Sequence, residues 1–315
     1  MGRMESPILP LSYFYYKRGW QLNPVIEKHT PRLMVLPVFI VLLIFSLVPL
    51  IYVLGIGFTD STIAKPFNDL IWFENYKNAF RDEILGVSLF NTLLFAFTVT
   101  TIQTFLGFVL ALAMQRERFL GGILRTLALL PLFTPPVAVA MIWRLIYDPN
   151  SGLINYYLLK FGLSSRPVAF LGDKLLAFPS IMIADIWQWT PFCFILSLAA
   201  LQSLPKEPYE AAQVDSASSW YVFRRLTLPM VAPQVIVIFL FRFLIALKVF
   251  DLVYMLTFGG PGNSTQVVSF YIYRIGFKQF QTGYAGSLSI LVLIFISVIA
   301  LVITKGRELL LKRIE

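Results

Sequence analysis

Asp185, Arg242, Lys248 and Asp251 interrupt stretches that are otherwise almost free of charge. Any chemistry inside so apolar a chain has to come from groups like these. A charged side chain at the centre of a bilayer costs about 2.5–3.5 kcal/mol on insertion scales, so each must face a cavity, a partner helix or water. Three arrangements are open. Asp185 and Asp251 could form an aspartyl pair or carry protons. Arg242 could pair with Asp185 across a helix bundle. Alternatively, the planar fork of Arg242 could hold an anionic group such as a carboxylate or phosphate. The aspartyl pair lacks flanking catalytic motifs. The chain also contains no GxxxxGK[ST] loop for nucleotide phosphates, no HExxH and no GxSxG elbow. The single cysteine, Cys193, excludes an intramolecular disulfide, and the single histidine, His29, excludes a multi-histidine metal site.

The elements that carry these residues follow from composition. Of 315 residues, 57% are hydrophobic and 14% charged, against roughly 25% charged in soluble domains. The formal charge of +9 fits basic cytoplasmic loops of a polytopic membrane protein better than nucleic-acid binding. Apolar runs long enough to cross a bilayer place six helices near 33–58, 88–113, 126–147, 178–201, 231–257 and 285–304. The four segments 1–32, 114–125, 202–230 and 305–315 hold fifteen Lys and Arg, and the three alternate loops hold eight. Both termini and the 202–230 loop are therefore expected on the cytoplasmic side. The tail 1–32 has no long apolar core, so a cleaved signal peptide is not expected.

One membrane domain, 33–304, lies between a cytoplasmic N-terminal tail, 1–32, and a C-terminal tail, 305–315. The external loop 59–87 carries Trp72, Phe73, Tyr76 and Phe80 and reads as a small folded cap. In loop 148–177, Asp148 to Gly152 form a turn leading into a short amphipathic helix. Prolines 37, 49, 131, 135, 136 and 191 fall inside spans, where each removes a backbone donor and can kink its helix.

The 202–230 loop is charged and ordered in pattern. Pro205 and Pro208 suit the first turn of a helix. Tyr209, Glu210, Ala211, Ala212, Asp215, Ser216 and Ala217 follow, with Ala212 and Ser216 four apart on one expected face. The stretch EAAQVDSASSWYVFRRLTLP, Glu210 to Pro229, resembles the cytoplasmic signature by which permeases of binding-protein-dependent ABC importers dock on their ATPase. The family pattern is EAA, three residues, Gly, nine residues, Ile, one residue, Leu-Pro. Ser216 stands at the Gly position and Leu226 at the Ile position. The resemblance implies that Tyr209 and the alanine pair enter a cleft in the ATPase, with Asp215 and Arg224 or Arg225 orienting the loop. An interfacial helix lying on lipid is the other reading.

A second set of residues, LTFGGP at 256–261, YIY at 271–273 and GYA at 283–285, is similar to carbohydrate-uptake permeases of the maltose-transporter type. WQWTPF at 187–192 and WRLIYDPNSG at 143–152 fit the same family. The resemblance covers about 33–304 and implies an all-α, six-helix, type I ABC importer permease fold. It implies a second related permease, two ATPase copies that bind ATP and magnesium, an external solute-binding protein and a saccharide. No cofactor on this chain is implied. Anchored on WQWTPF and TFGGP, it places sugar contacts at Asp185, Gln188, Trp189 and Phe192, and at Arg242, Ile245, Ala246 and Val249. Both sets run i, i+3, i+4, i+7, one helical face each. Lys248 and Asp251 then fall about 120° and 180° away from Arg242, off that face. Arg242 there would favour an acidic solute. The expectation is a non-catalytic subunit of a bacterial inner-membrane sugar importer, working by alternating access. A secondary transporter driven by an ion gradient and a polytopic enzyme or scaffold are the alternatives, and the docking loop argues against both.

Overall fold

A computed structural model describes residues 24–115 and 121–311. The expectations for residues 1–23, for the basic loop at 116–120 and for 312–315 lie outside the described residues. Residues up to Gly55 and residues from Ile56 onward are two separate compact units. The first is carried by one helix, α1, Pro24–Ile56. It starts nine residues before the predicted boundary at 33, so the helix takes up the end of the expected tail.

The second unit is helical among its described residues, apart from one isolated bridge, Thr59 to Leu70. Its elements are α2 Glu74–Ala79, α3 Glu83–Met114, α4 Gly121–Phe133, α5 Pro136–Ile146, α6 Leu153–Lys160, α7 Ala177–Gln202, α8 Glu207–Val214, α9 Ser219–Val222, α10 Leu228–Ala246, α11 Asp251–Leu256, α12 Val268–Tyr273 and α13 Thr282–Leu311. Among the described residues of both units, five helical stretches are long and apolar enough to cross a membrane, one of them in α1 and one running from α9 into α10, and a sixth span exists if the bent pair α4–α5 counts as one.

α3 and α7 form the spine. Phe95, Ala96, Val99 and Ala184 are fully buried in the core they share. The helices approach closely at Gly107, where an added Cβ would lie 2.6 Å from Phe194 N; only glycine admits that approach. The opposite face of α3 is a stripe of exposed Phe90, Leu94, Phe97, Phe105 and Val109. A patch of that size on a soluble surface would drive association, whereas lipid covers it without cost.

The structure corrects three predicted spans. The third is not one helix over 126–147, because α4 and α5 meet at 95°. Thr134-Pro135-Pro136 explains the break: two successive prolines remove two donors, and each disfavours helix in the residue before it. The fifth span ends at Ala246 rather than 257, and a four-residue turn precedes α11. The sixth runs on to Leu311, so the expected boundary of the C-terminal tail at 305 falls within a helix.

Outside the spans, the loop after α1 is folded, as expected. Phe58 packs on Phe73 and Tyr76 at 5.4 and 5.2 Å between ring centres, and Asn75 Nδ2 donates to the Gly57 and Thr59 carbonyls. Asp148 Oδ1 accepts from the Asn150 and Ser151 amides, forming the turn that leads to α6. Asp82 caps α3 through Oδ1, which accepts from the Ile84 and Leu85 amides. Its Oδ2 accepts from Tyr271 Oη at 2.5 Å and Tyr284 Oη at 2.7 Å. Burial alone would raise the Asp82 carboxyl, but these two hydroxyls and two amides together hold it below its ordinary value.

Candidate functional site

α7 and α10 both pack on α3, and this brings three polar side chains from three helices together. Arg242, on α10, is 1% exposed and donates through Nη2 to Asp185 Oδ2 on α7. Gln103, on α3, donates through Nε2 to the same Oδ2 at 2.9 Å and to the Asp185 main-chain oxygen at 2.8 Å. The guanidinium also lies over the Trp189 ring, 4.8 Å from its centre, a cation–π contact. Of the arrangements open at the outset, the structure contains the Asp185–Arg242 pair. Gln103 was missed by sequence reasoning. Its signal was available: an amide on a 32-residue apolar helix has to find a partner in the interior.

A cavity of about 280 Å³ opens beside this pair. Asp185, Gln188, Trp189, Arg242, Ile245, Ala246 and Val249 all line it, which is seven of the eight sequence-derived pathway positions. Phe192 does not line it; it packs edge-on behind Trp189 at 5.9 Å. Gln188 gives its Nε2 hydrogen to the Thr134 carbonyl at 3.1 Å, an acceptor stranded by the proline break. Its amide therefore ties α7 to that break as well as facing the cavity.

Two corrections follow from the helix end at Ala246. Val249 is not on the helical face of Arg242. It reaches the cavity because the chain turns there, with Lys248 N and Val249 N donating to Ile245 O and Ala246 O. Lys248 and Asp251, assigned off that face, also line the cavity. Extrapolating 100° per residue fails once the helix has stopped.

The docking loop forms a separate site. α8 starts with Pro208 in its first turn, then stops at Val214. Ser216 N donates to Gln213 O and Ala217 N to Ala212 O, the paired bonds of a Schellman turn. Ser216 carries φ +53°, the left-handed conformation that glycine takes most readily. The family's Gly position is thus a turn requirement here. Ser216 lies beyond the helix and does not share a helical face with Ala212. Ala212 is buried against this chain, and Tyr209 Oη bonds Thr227 Oγ1 at 3.1 Å. With Ala217 they line a cavity of about 550 Å³ beside α8, so Tyr209 and Ala212 pack against their own chain. Glu210, Ala211, Asp215 and Ser216 are exposed, and so is Val214 at 86%. Val214 was not singled out from the sequence. Among the described residues no ion pair joins Asp215 to Arg224 or Arg225. Those arginines sit on a wide π turn, Phe223–Thr227, that enters α10. Leu228 N donates to Phe223 O there, the wide bond of the π turn, one residue before Pro229.

Comparison with known proteins gives these sites a context. Residues 103–314 match the family described as binding-protein-dependent transport system inner membrane component. The trehalose/maltose transport system permease protein MalF of Thermococcus litoralis is 36% identical over 274 residues, covering 86% of this chain and 90% of that protein. A crystal structure of a bacterial ABC transporter involved in the import of the acidic polysaccharide alginate contains a chain 27% identical, with TM-score 0.79, covering 90% of this chain and 97% of that one. A bacterial alginate ABC transporter in complex with an alginate pentasaccharide-bound periplasmic protein matches at 28% identity and TM-score 0.77, covering 94% and 98%. The fold is that of a type I ABC importer permease. With two thirds of its length matched and a MalF relative spanning most of the rest, this chain belongs to the inner membrane components of binding-protein-dependent transport systems.

Proposed function

We propose that the chain is one permease subunit of an ATP-driven importer for a sugar or oligosaccharide and forms half of its translocation pathway. The observation that carries this is the convergence of Trp189, Gln188 and the Asp185–Arg242 pair on one cavity, in a chain whose relative is named for trehalose and maltose. An aromatic face stacks on a sugar ring, and amide and carboxylate oxygens accept from hydroxyls. A second, related permease supplies the other half. Two ATPase chains bind ATP and magnesium. A solute-binding protein delivers the saccharide from outside, as the periplasmic protein in the alginate transporter complex suggests. Both termini and the loop carrying α8 lie on the cytoplasmic side.

In this reading the ATPase docks on the exposed edge of α8, at Glu210, Ala211, Val214, Asp215 and Ser216. Tyr209, Ala212 and Ala217 transmit its movement to α10 by packing against their own chain. ATP binding closes the ATPase pair and opens the helices outward, and hydrolysis releases the solute inward. This chain makes and breaks no covalent bond. An acidic saccharide is a second reading, supported by the likeness to the alginate transporter. The Asp185–Arg242 pair weakens it, because the guanidinium is already neutralised. The test is reconstitution of the chain with its neighbouring permease, ATPase and binding protein in proteoliposomes. ATP-dependent saccharide uptake is expected, and it should vanish without the binding protein. Uptake driven by a proton gradient without ATP would refute the proposal.

A further inference from the structure

We infer that Lys248 and Asp251, not Arg242, present the free charges that a solute meets in the cavity, and that together they select for the charge of the saccharide. This rests on the saccharide reading above. The cavity wall holds four ionisable side chains: Asp185, Arg242, Lys248 and Asp251. The first two neutralise each other in a buried pair, with side-chain exposures of 6% and 1%. Lys248 and Asp251 are exposed and line the cavity, and among the described residues neither has an ion partner. A lone charge facing lipid is expensive, whereas one facing a wet cavity keeps its hydration. Both stand at the turn between α10 and α11, at the end of α10 remote from the docking loop. Each has a distinct job. Lys248 donates to hydroxyls or to a carboxylate. Asp251 accepts from hydroxyls and repels a carboxylate. With both present the charges balance, and the cavity suits a neutral, hydroxyl-rich saccharide. Lysine alone would favour a uronate or a sugar phosphate.

The experiment reads local charge without knowledge of the solute. Ile245 lines the same cavity. In an Ile245→Cys, Cys193→Ala chain, assembled with its partners in nanodiscs, the thiol is modified with an anionic sulfonate and a cationic ammonium methanethiosulfonate. Adding Lys248→Met should lower the anionic-to-cationic rate ratio about tenfold, and Asp251→Asn should raise it about tenfold, as expected for one nearby unit charge at an effective dielectric of 20–80. Joint neutralisation by Asp185→Asn with Arg242→Gln should change the ratio less than about twofold, since opposite charges cancel there. Should Lys248→Met fail to assemble, Lys248→Gln takes its place. A ratio that ignores both Lys248 and Asp251 would overturn the inference, as would one that follows the buried pair. The first outcome also covers capture of Lys248 by an acidic residue of the second permease. Saccharide uptake by the unmodified complex is scored separately, so failure of the transport reading is distinguishable from failure of this one.

Discussion

Removing Asp185 leaves Arg242 with no counter-charge at 1% exposure, and that arrangement predicts its own energetics. Breaking a buried pair by deleting one member costs about 3–5 kcal/mol, mostly the penalty of the orphaned charge. The two deletions should not cost the same. A guanidinium cannot shed its proton in a protein, so Asp185→Ala should sit near the top of that range. The Trp189 face, 4.8 Å away, offsets about 0.5–2 kcal/mol of it. A stranded carboxyl can take up a proton, and Gln103 still donates to it at 2.9 Å. Arg242→Ala should therefore cost less, about 2–3 kcal/mol. The double variant loses both charges at once. It should recover to within about 1–2 kcal/mol of the parent, leaving a coupling energy of about 3–6 kcal/mol. The assay is thermal unfolding of the purified complex in nanodiscs, followed by tryptophan fluorescence, with assembly yield beside it. Losses that simply add in the double variant would refute the pair as the organising contact. Equal losses in both single variants would refute the proton-uptake argument alone.

Three further outcomes are expected. Ser216→Gly should stabilise the turn after α8 by about 0.4–1 kcal/mol, and Ser216→Val should weaken it by about 1–2 kcal/mol; slowed and accelerated amide exchange across 207–217 are the readouts, and unchanged exchange in both would contradict the left-handed assignment. The Asp82 cluster should make stability pH-dependent. Because folding lowers the carboxyl's affinity for protons, its contribution is complete above the unfolded value of about 4 and is lost as pH falls through the lower folded value. A flat melting temperature from pH 6 to 3, or a profile unmoved by Tyr271→Phe with Tyr284→Phe, would contradict this. Cysteine introduced by Asn263→Cys in a Cys193→Ala background should react with a membrane-impermeant maleimide in intact cells, and one introduced by Ser218→Cys should not; the opposite pattern would invert the topology.

Much of this was legible because it rests on local rules. Pro208 and the run of small residues marked α8, and the spacing of Asp185, Gln188 and Trp189 marked one face of α7. What escaped was set by breaks and by distant partners. Thr134-Pro135-Pro136 was visible, but a kink and a 95° turn differ only in whether neighbours satisfy the freed carbonyl, and Gln188 supplies that from 54 residues away. The end of α10 left no sign at all, since Leu247-Lys248-Val249-Phe250 contains neither proline nor glycine. Ser216 looked like a packing residue because smallness and tolerance of positive φ both read as a glycine position; only the Gln213 and Ala212 carbonyls separate them. Tyr271 and Tyr284 belonged to recognisable motifs, but their shared partner, Asp82, lies 189 and 202 residues earlier.

The two breaks, at Thr134–Pro135 and Leu247–Phe250, bear on the path of the chain. The helices that follow the two breaks, α5 and α11, pack on each other. Bending at a break disrupts few or no main-chain bonds of a helical ladder. Val139 and Ala140 of α5 and Leu252, Val253 and Leu256 of α11 are buried in the core that α3 and α7 share. The two breaks therefore turn the chain back into the bundle, and Lys248 and Asp251 stand where α10 gives way to a helix that the core holds.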